Sequence, residues 1–102
     1  MSDAGEPPVV DDVARHRLVV GLGADTAELV YRVVRGRLLI LHTEVPERLR
    51  GGGVGGRLVA AALHRAAADD LTIVPLCPYA RSWLERHPDA AKKVVIDWSG
   101  ET

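Results

Sequence analysis

Residues 42–56 read HTEVPERLRGGGVGG, and this stretch decides the fold. The residues before Pro46 end an apolar, partly alternating run that is typical of a strand, and five of the six residues 51–56 are glycine. The apolar residues that follow recur at i, i+3, i+4 and i+7, the spacing of one helix face, at Val59, Ala62, Leu63 and Ala66. A strand therefore connects to a helix through a glycine-rich loop.

Strand patterns lie on both sides of this junction. Before it, apolar or alternating segments separated by turn residues predict consecutive strands at residues 16–21, 27–35 and 38–45. After the helix of residues 54–68, the apolar residues 71–76 predict a fourth strand. A helical crossover makes this strand parallel to the third.

The end of the chain adds smaller elements. Residues 79–86 predict a short helix that Pro88 stops, and residues 94–98 predict one more strand. The fold class is therefore α/β (α+β), with antiparallel strands leading into a parallel β-α-β unit and then a short helix. Pro75 cannot donate a ladder hydrogen bond, so we expect the fourth strand to splay from the third and open a cleft.

Length and composition limit the possibilities. The 102 residues are enough for one domain, which we place at residues 15–102 after a loose acidic tail at residues 1–14. With 13 basic and 14 acidic residues, the net charge of −1 argues against a nucleic-acid-binding face. A single cysteine, Cys77, and the lack of a leader or a membrane-length apolar run predict a cytoplasmic protein outside the membrane. The histidines His16 and His64 show no ligand spacing, so no metal site is proposed.

The glycine-rich loop predicts an anion site. At a strand-to-helix junction the first N–H groups of the helix lack partners and lie at the positive end of its dipole. Glycines admit a phosphate to those donors, and Arg48, Arg50 and Arg57 add positive charge nearby.

Two common phosphate motifs do not fit. A Walker loop needs Lys followed by Ser or Thr after its last glycine, whereas Arg57-Leu58 follows Gly56. A dinucleotide fold needs an acidic residue near the end of the next strand, where Cys77 and Pro78 stand, and the chain is too short for its paired halves.

A third pattern, R-x-x-G-x-G at Arg50, Gly53 and Gly55, resembles the GNAT superfamily of acyl-CoA-dependent N-acyltransferases. Together with residues 42–46, 74–78 and 85–88, it is similar to the small single-domain GNAT-like proteins. The resemblance implies that loop amides bind the pyrophosphate of acetyl-CoA or CoA, while the splayed strands hold its pantetheine arm. The implied cofactor-binding residues are Val45, Arg50, Gly51, Gly52, Gly53, Val54, Gly55, Gly56, Cys77, Pro78 and Tyr79.

Three residues are candidates for the chemistry. Strand alternation places His42 and Glu44 on one face, and the resemblance makes Glu44 a candidate general base; His42 is an equal candidate proton carrier. Cys77 could be a nucleophile, a proton donor to the leaving thiolate, or a lining residue. For each of the three, a purely structural role is the competing interpretation.

The predicted function is acetyl-CoA-dependent N-acetylation of an exposed amine on a protein, a peptide or a small molecule. Larger GNAT enzymes wall the acceptor site with helices between their first two strands, whereas only residues 22–26 connect them here. The alternative is a module that binds CoA or acetyl-CoA without transferase activity. We expect a monomer or a homodimer that binds neither nucleic acid nor membrane.

Overall fold

The computed structural model describes residues 8–22 and 25–99. Five strands form one sheet in the order β1-β2-β3-β4-β5, and only the β4–β5 pair is parallel. The strands are β1 (Val10–Asp12), β2 (Arg17–Leu22), β3 (Asp25–Val34), β4 (Arg37–Glu44) and β5 (Thr72–Pro75). The helices are α1 (Val54–Asp69), α2 (Pro78–Arg86) and α3 (Pro88–Ala91), with short 3-10 turns at Val13–Arg15 and Glu47–Leu49. The predicted mixed fold with a β-α-β unit is confirmed.

Local sequence explains the connections. Arg35 and Gly36 both have positive φ, at 53° and 77°, which is the geometry of a two-residue hairpin turn between β3 and β4. Helix α1 packs against one side of the sheet. The apolar residues that predicted it, Val59, Ala62, Leu63 and Ala66, are buried. Pro88 ends α2 as expected, but it also starts a further short helix, because proline is compatible with a first helical turn.

The N-terminal boundary differs from the prediction. Val10–Asp12 pair with β2 as the edge strand β1, so residues 10–14 belong to the domain, and the predicted boundary at residue 15 is wrong. Residues 1–7 of the predicted tail lie outside the described residues.

A partly buried side-chain network holds these residues against the sheet. The Tyr31 hydroxyl donates to Asp11 Oδ1 at 2.5 Å, and Arg65 Nη1 donates to both Asp11 Oδ2 and the Tyr31 oxygen at 2.8 Å. Arg65 also donates through Nε to Asp69 at 2.6 Å. An acidic residue that reads as part of a tail thus ties β1 to β3 and α1.

The predicted last strand is also corrected. Ile73 N–H donates to Val95 O at 2.9 Å and Asp97 N–H donates to Ile73 O at 2.8 Å, which makes one isolated parallel bridge between Ile73 and Ile96. The Asp97 carboxylate then accepts hydrogen bonds from the N–H and hydroxyl of Ser99. This Asx-type turn curls the chain, so the pairing does not extend into a strand.

The Tyr31 hydroxyl gives a test of the network. Burial raises the pKa of Tyr31, and the hydrogen bond to Asp11 raises it further. Tyr31→Phe should lower the free energy of unfolding by about 1–2 kcal/mol at neutral pH, measured by chemical denaturation. The neutral phenol's stabilisation is complete below the unfolded-state pKa, about 10, and is lost as pH rises through the folded-state pKa.

The difference in stability between wild type and Tyr31→Phe should therefore shrink above about pH 10. A difference that stays constant through that range would contradict the raised pKa of Tyr31.

Candidate functional site

A cavity of about 660 Å³ lies between the C-terminal half of β4 and the start of α1. It falls within the size range of small-molecule sites, which is roughly 300–1,000 Å³. Its walls come from the end of β4, the glycine-rich loop and the first residues of α1 and α2. The lining residues are His42, Thr43, Glu44, Val45, Leu49, Arg50, Gly51, Gly53, Val54, Gly55 and Tyr79.

The cavity exists because β5 is shorter than β4. Their parallel pairing covers only Arg37–Ile40 against Thr72–Pro75, while β4 continues to Glu44. The N–H groups of Leu76 and Cys77 both donate to Ile40 O at 3.0 Å, and the chain then turns into α2. The predicted splay of β5 from β4 is therefore confirmed, but its expected cause is wrong. The Pro75 nitrogen lies on the same edge as the N–H of Ile73, which donates to Val95 and not to β4.

A β-bulge in β4 sets the direction of its side chains. Tyr31 pairs with Ile40 and Val30 pairs with His42, so Leu41 is an extra residue on β4. Beyond it, Thr43 pairs with buried Leu29 on the side of the sheet that α1 covers. Such bulges re-aim side chains, and they recur beside active sites.

His42 and Glu44 lie together on the opposite side of the sheet, as alternation predicted. His42 Nε2 and Glu44 Oε1 are 3.1 Å apart, and the two side chains are 59% and 64% exposed. The cavity thus reaches both sides of the sheet through the gap between β4 and β5.

The glycine-rich loop has two kinds of glycine. Gly51 and Gly53 have φ of 87° and 83°, which L side chains rarely adopt, and a Cβ at either position would meet no atom within 4 Å. Gly53 is the N-cap of α1, and no side-chain oxygen caps the first N–H groups of the helix. These donors and the helix dipole favour an anion.

The later glycines permit close packing between two helices, and Gly55 also lines the cavity. A Cβ on Gly55 would lie 2.5 Å from the Tyr79 hydroxyl oxygen, and one on Gly56 would lie 2.6 Å from Trp83 Nε1. These two glycines let α2 approach the first turn of α1. Neither Gly52 nor Gly56 lines the cavity, although both are predicted cofactor-binding residues.

Arg50 and Arg48 each contact another part of the chain. Arg50 Nε donates to Val45 O at 3.0 Å, which ties the loop back to the end of β4. Arg48 forms an exposed ion pair with Asp25 at 3.3 Å. Arg50 also lines the cavity.

Cys77 lies outside the cavity lining, and so does Pro78. Cys77 is the N-cap of α2, is 4% exposed and packs in the main hydrophobic core. Its thiol donates to Thr43 Oγ1 at 3.5 Å. Pro78 begins α2, where its missing N–H leaves no helix bond unmade.

Two lining residues were missing from the predicted set. Thr43 and Leu49 both face the cavity. Strand alternation predicted that Thr43 lies on the side of the sheet opposite His42. It did not predict that the gap beside β4 makes Thr43 a cavity residue. Leu49 lies in a short 3-10 turn with no sequence pattern of its own.

A family model described as "GCN5-related N-acetyl-transferase" matches residues 15–94. The chain belongs to the GCN5-related N-acetyltransferase (GNAT) family. It is also 35% identical to Protein NATD1 of Gallus gallus over 83 residues, 78% of this chain and 76% of that protein. The Homo sapiens Protein NATD1 shares 35% identity over 78% of this chain and 74% of its own length. The Mus musculus protein shares 33% over 86% and 83%.

The GNAT family match covers β2 to α3 and so includes the whole cavity. Among residues 8–22 and 25–99, no group of three His, Cys, Asp or Glu side chains could hold a metal ion. In the same part of the chain, no helix is long and apolar enough to cross a membrane.

The contact between α1 and α2 can be tested at Gly56. Gly56→Ala should lower the free energy of unfolding by about 1–3 kcal/mol, because the new methyl group overlaps the Trp83 indole. The matched control is Gly52→Ala, whose Cβ would make only an ordinary 3.5 Å contact with Leu49 O. That change should stay within about 0.5 kcal/mol.

Chemical denaturation measures the free energy of unfolding of both variants. Adding Trp83→Leu to Gly56→Ala should recover part of the loss, since the smaller side chain makes room for the methyl group. Equal stabilities of Gly56→Ala and Gly52→Ala would contradict the close approach.

Proposed function

We propose that this GNAT chain binds acetyl-CoA in the cavity between β4 and α1 and transfers the acetyl group to an exposed amine. One observation carries the proposal: a single cavity joins an uncapped helix N-terminus to the gap between two diverging parallel strands. The first feature suits a pyrophosphate. The second suits an extended arm that contains amide groups.

The residues present fit that ligand. Gly51 and Gly53 leave open space beside the first N–H groups of α1, and Arg50 contributes positive charge. Beyond Ile40, β4 has no pairing with β5, so its main-chain groups on that edge are available to amides of a bound ligand.

The protein's part in the chemistry is to move protons. Bound acetyl-CoA would supply the acetyl group as a thioester. As the acceptor nitrogen bonds to the acyl carbon and the carbon–sulfur bond breaks, the amine loses a proton and the departing thiolate gains one. Glu44 and His42, 3.1 Å apart, accept the amine proton as a pair. Tyr79 lines the cavity, and its hydroxyl is the candidate donor to the sulfur.

The exposed side of the sheet favours a large acceptor. Strand β2 ends at Leu22 and β3 begins at Asp25, so the connection has no room for a covering helix. His42 and Glu44 are both more than half exposed. An amine on a protein or peptide surface can therefore reach the pair without entering a deep pocket.

The alternative is binding of CoA or acetyl-CoA without catalysis. Two observations favour it: the proton-accepting pair is largely exposed to water, and Cys77 does not line the cavity. The two functions differ in whether changes at His42 and Glu44 affect turnover.

Ligand binding can be tested with two variants that share the same backbone strain but carry opposite charges. Gly53→Glu and Gly53→Lys strain the same positive-φ position, but only glutamate brings a negative charge to the helix N-terminus. Calorimetric titration should show acetyl-CoA binding to the wild type, loss of binding in Gly53→Glu, and tighter binding in Gly53→Lys than in Gly53→Glu. Equal weakening in both variants would leave strain as the cause and count against an anion site.

Titrations with ATP and NAD serve as ligand controls. Failure of the wild type to bind acetyl-CoA or CoA would overturn the proposed function.

Catalysis can be tested at Glu44. With a panel of amines, peptides and proteins as acceptors, release of the CoA thiol measures turnover. Glu44→Gln should lower kcat by about 10²–10⁴-fold, the usual contribution of a positioned general base, without changing acetyl-CoA affinity. Glu47→Gln is the matched control, because Glu47 is an exposed glutamate outside the cavity lining. Unchanged turnover in both Glu44→Gln and His42→Gln would favour the binding module.

A further inference from the structure

Thr43 and Cys77 form a contact at the boundary between the cavity and the core. Thr43 lines the cavity from the side of the sheet that α1 covers. Cys77 lies behind it, 4% exposed, with its sulfur 3.5 Å from Thr43 Oγ1. The hydroxyl therefore lies between the buried thiol and the space that a ligand would fill.

The backbone holds Cys77 rigidly in this position. Its N–H donates to Ile40 O at 3.0 Å, and its carbonyl accepts the N–H of Arg81 at 3.0 Å in the first turn of α2. The same Ile40 carbonyl marks the end of β4–β5 pairing. The thiol is thus fixed relative to the opening between the strands.

Hydrogen-bond chemistry then sets the direction of the Thr43 hydroxyl. A hydroxyl has one hydrogen to donate and two lone pairs that accept. When Thr43 Oγ1 accepts the thiol hydrogen, its own hydrogen is directed away from Cys77. The cavity is the open space on that side, and a carbonyl oxygen is the ligand group that would accept it.

We propose that Thr43 contacts the acyl donor by donating its hydroxyl hydrogen to a carbonyl oxygen, and that Cys77 is a positioning residue that acts through Thr43. This inference rests on the proposed function. It gives Cys77 a role that needs neither exposure nor a thiolate, in agreement with its burial in the core. Thr43 is then the residue that touches the ligand.

The test compares variants that remove or keep each hydrogen-bonding group. Thr43→Val keeps the branched shape but removes the hydroxyl, and it should weaken acetyl-CoA binding about three- to tenfold by calorimetry. Thr43→Ser should recover part of this loss. Cys77→Ala should have a smaller effect than Thr43→Val, and Cys77→Ser, which still carries a donor, should recover part of it.

Coupling distinguishes a positioning residue from an independent one. In the Thr43→Val background, Cys77→Ala should cause no further loss of affinity or kcat, because the group through which it acts is gone. Thr26→Val, an exposed threonine on β3 outside the cavity lining, is the matched control and should bind like wild type. Thermal denaturation of each variant separates lost contacts from lost folding.

Two results would overturn this inference and leave the proposed function intact. One is acetyl-CoA binding that Thr43→Val leaves unchanged. The other is a direct chemical role for Cys77, in which its sulfur bonds to the acyl carbon while the thioester carbon–sulfur bond breaks and CoA leaves as the thiol. Mass spectrometry after incubation without acceptor would then show one acetyl group on wild type and none on Cys77→Ser. If the wild type binds no acetyl-CoA, the proposed function fails and the inference fails with it.

Discussion

The carbonyl of Ile40 accepts two backbone N–H groups, from Leu76 and Cys77, and the pairing of β4 with β5 stops there. The site depends on this constraint. Thr72 and Leu76 donate toward β4 while Ile73 donates to Val95 on the other edge, so the missing N–H of Pro75 is not what stops the β4–β5 ladder. The chain instead turns away after Leu76 and Cys77, while β4 extends to Glu44 and leaves one edge open. The same shared acceptor fixes the start of α2, so the opening and the helix beside it have one cause.

The two helices beside the opening approach closely because glycines on α1 face large side chains on α2. Tyr79 lies over Gly55 and Trp83 over Gly56, so the N-terminal turn of α1 is pressed against α2. Trp83 is itself stacked on His87, with ring centroids 3.9 Å apart. The loop conformation therefore rests on Gly51 and Gly53, and the placement of the loop rests on Gly55 and Gly56.

Sequence periodicity predicted most of the fold, because apolar residues recur at the period of any strand or helix that buries one face. Alternation also placed His42 and Glu44 on one face of the sheet. Periodicity failed where contacts are distant in sequence. Asp11 pairs with β2 through its backbone and contacts Arg65 and Tyr31 through its side chain. Residues 94–98 make one bridge instead of a strand, because the chain turns at Asp97. Likewise, Thr43 becomes a cavity residue only through the gap beside β4.

The bulge at Leu41 gives the site its two sides. It shifts the register so that His42 and Glu44 lie on the exposed side of the sheet and Thr43 on the side of α1, within one short strand segment. On the proposed function, the acyl donor enters along the loop and α1, while the amine approaches the opposite side. The two reactants would then meet in the gap beyond Ile40. A sheet that stayed paired to the end of β4 would separate the glycine-rich loop from His42 and Glu44, so early loss of pairing is what allows one small domain to bring them together.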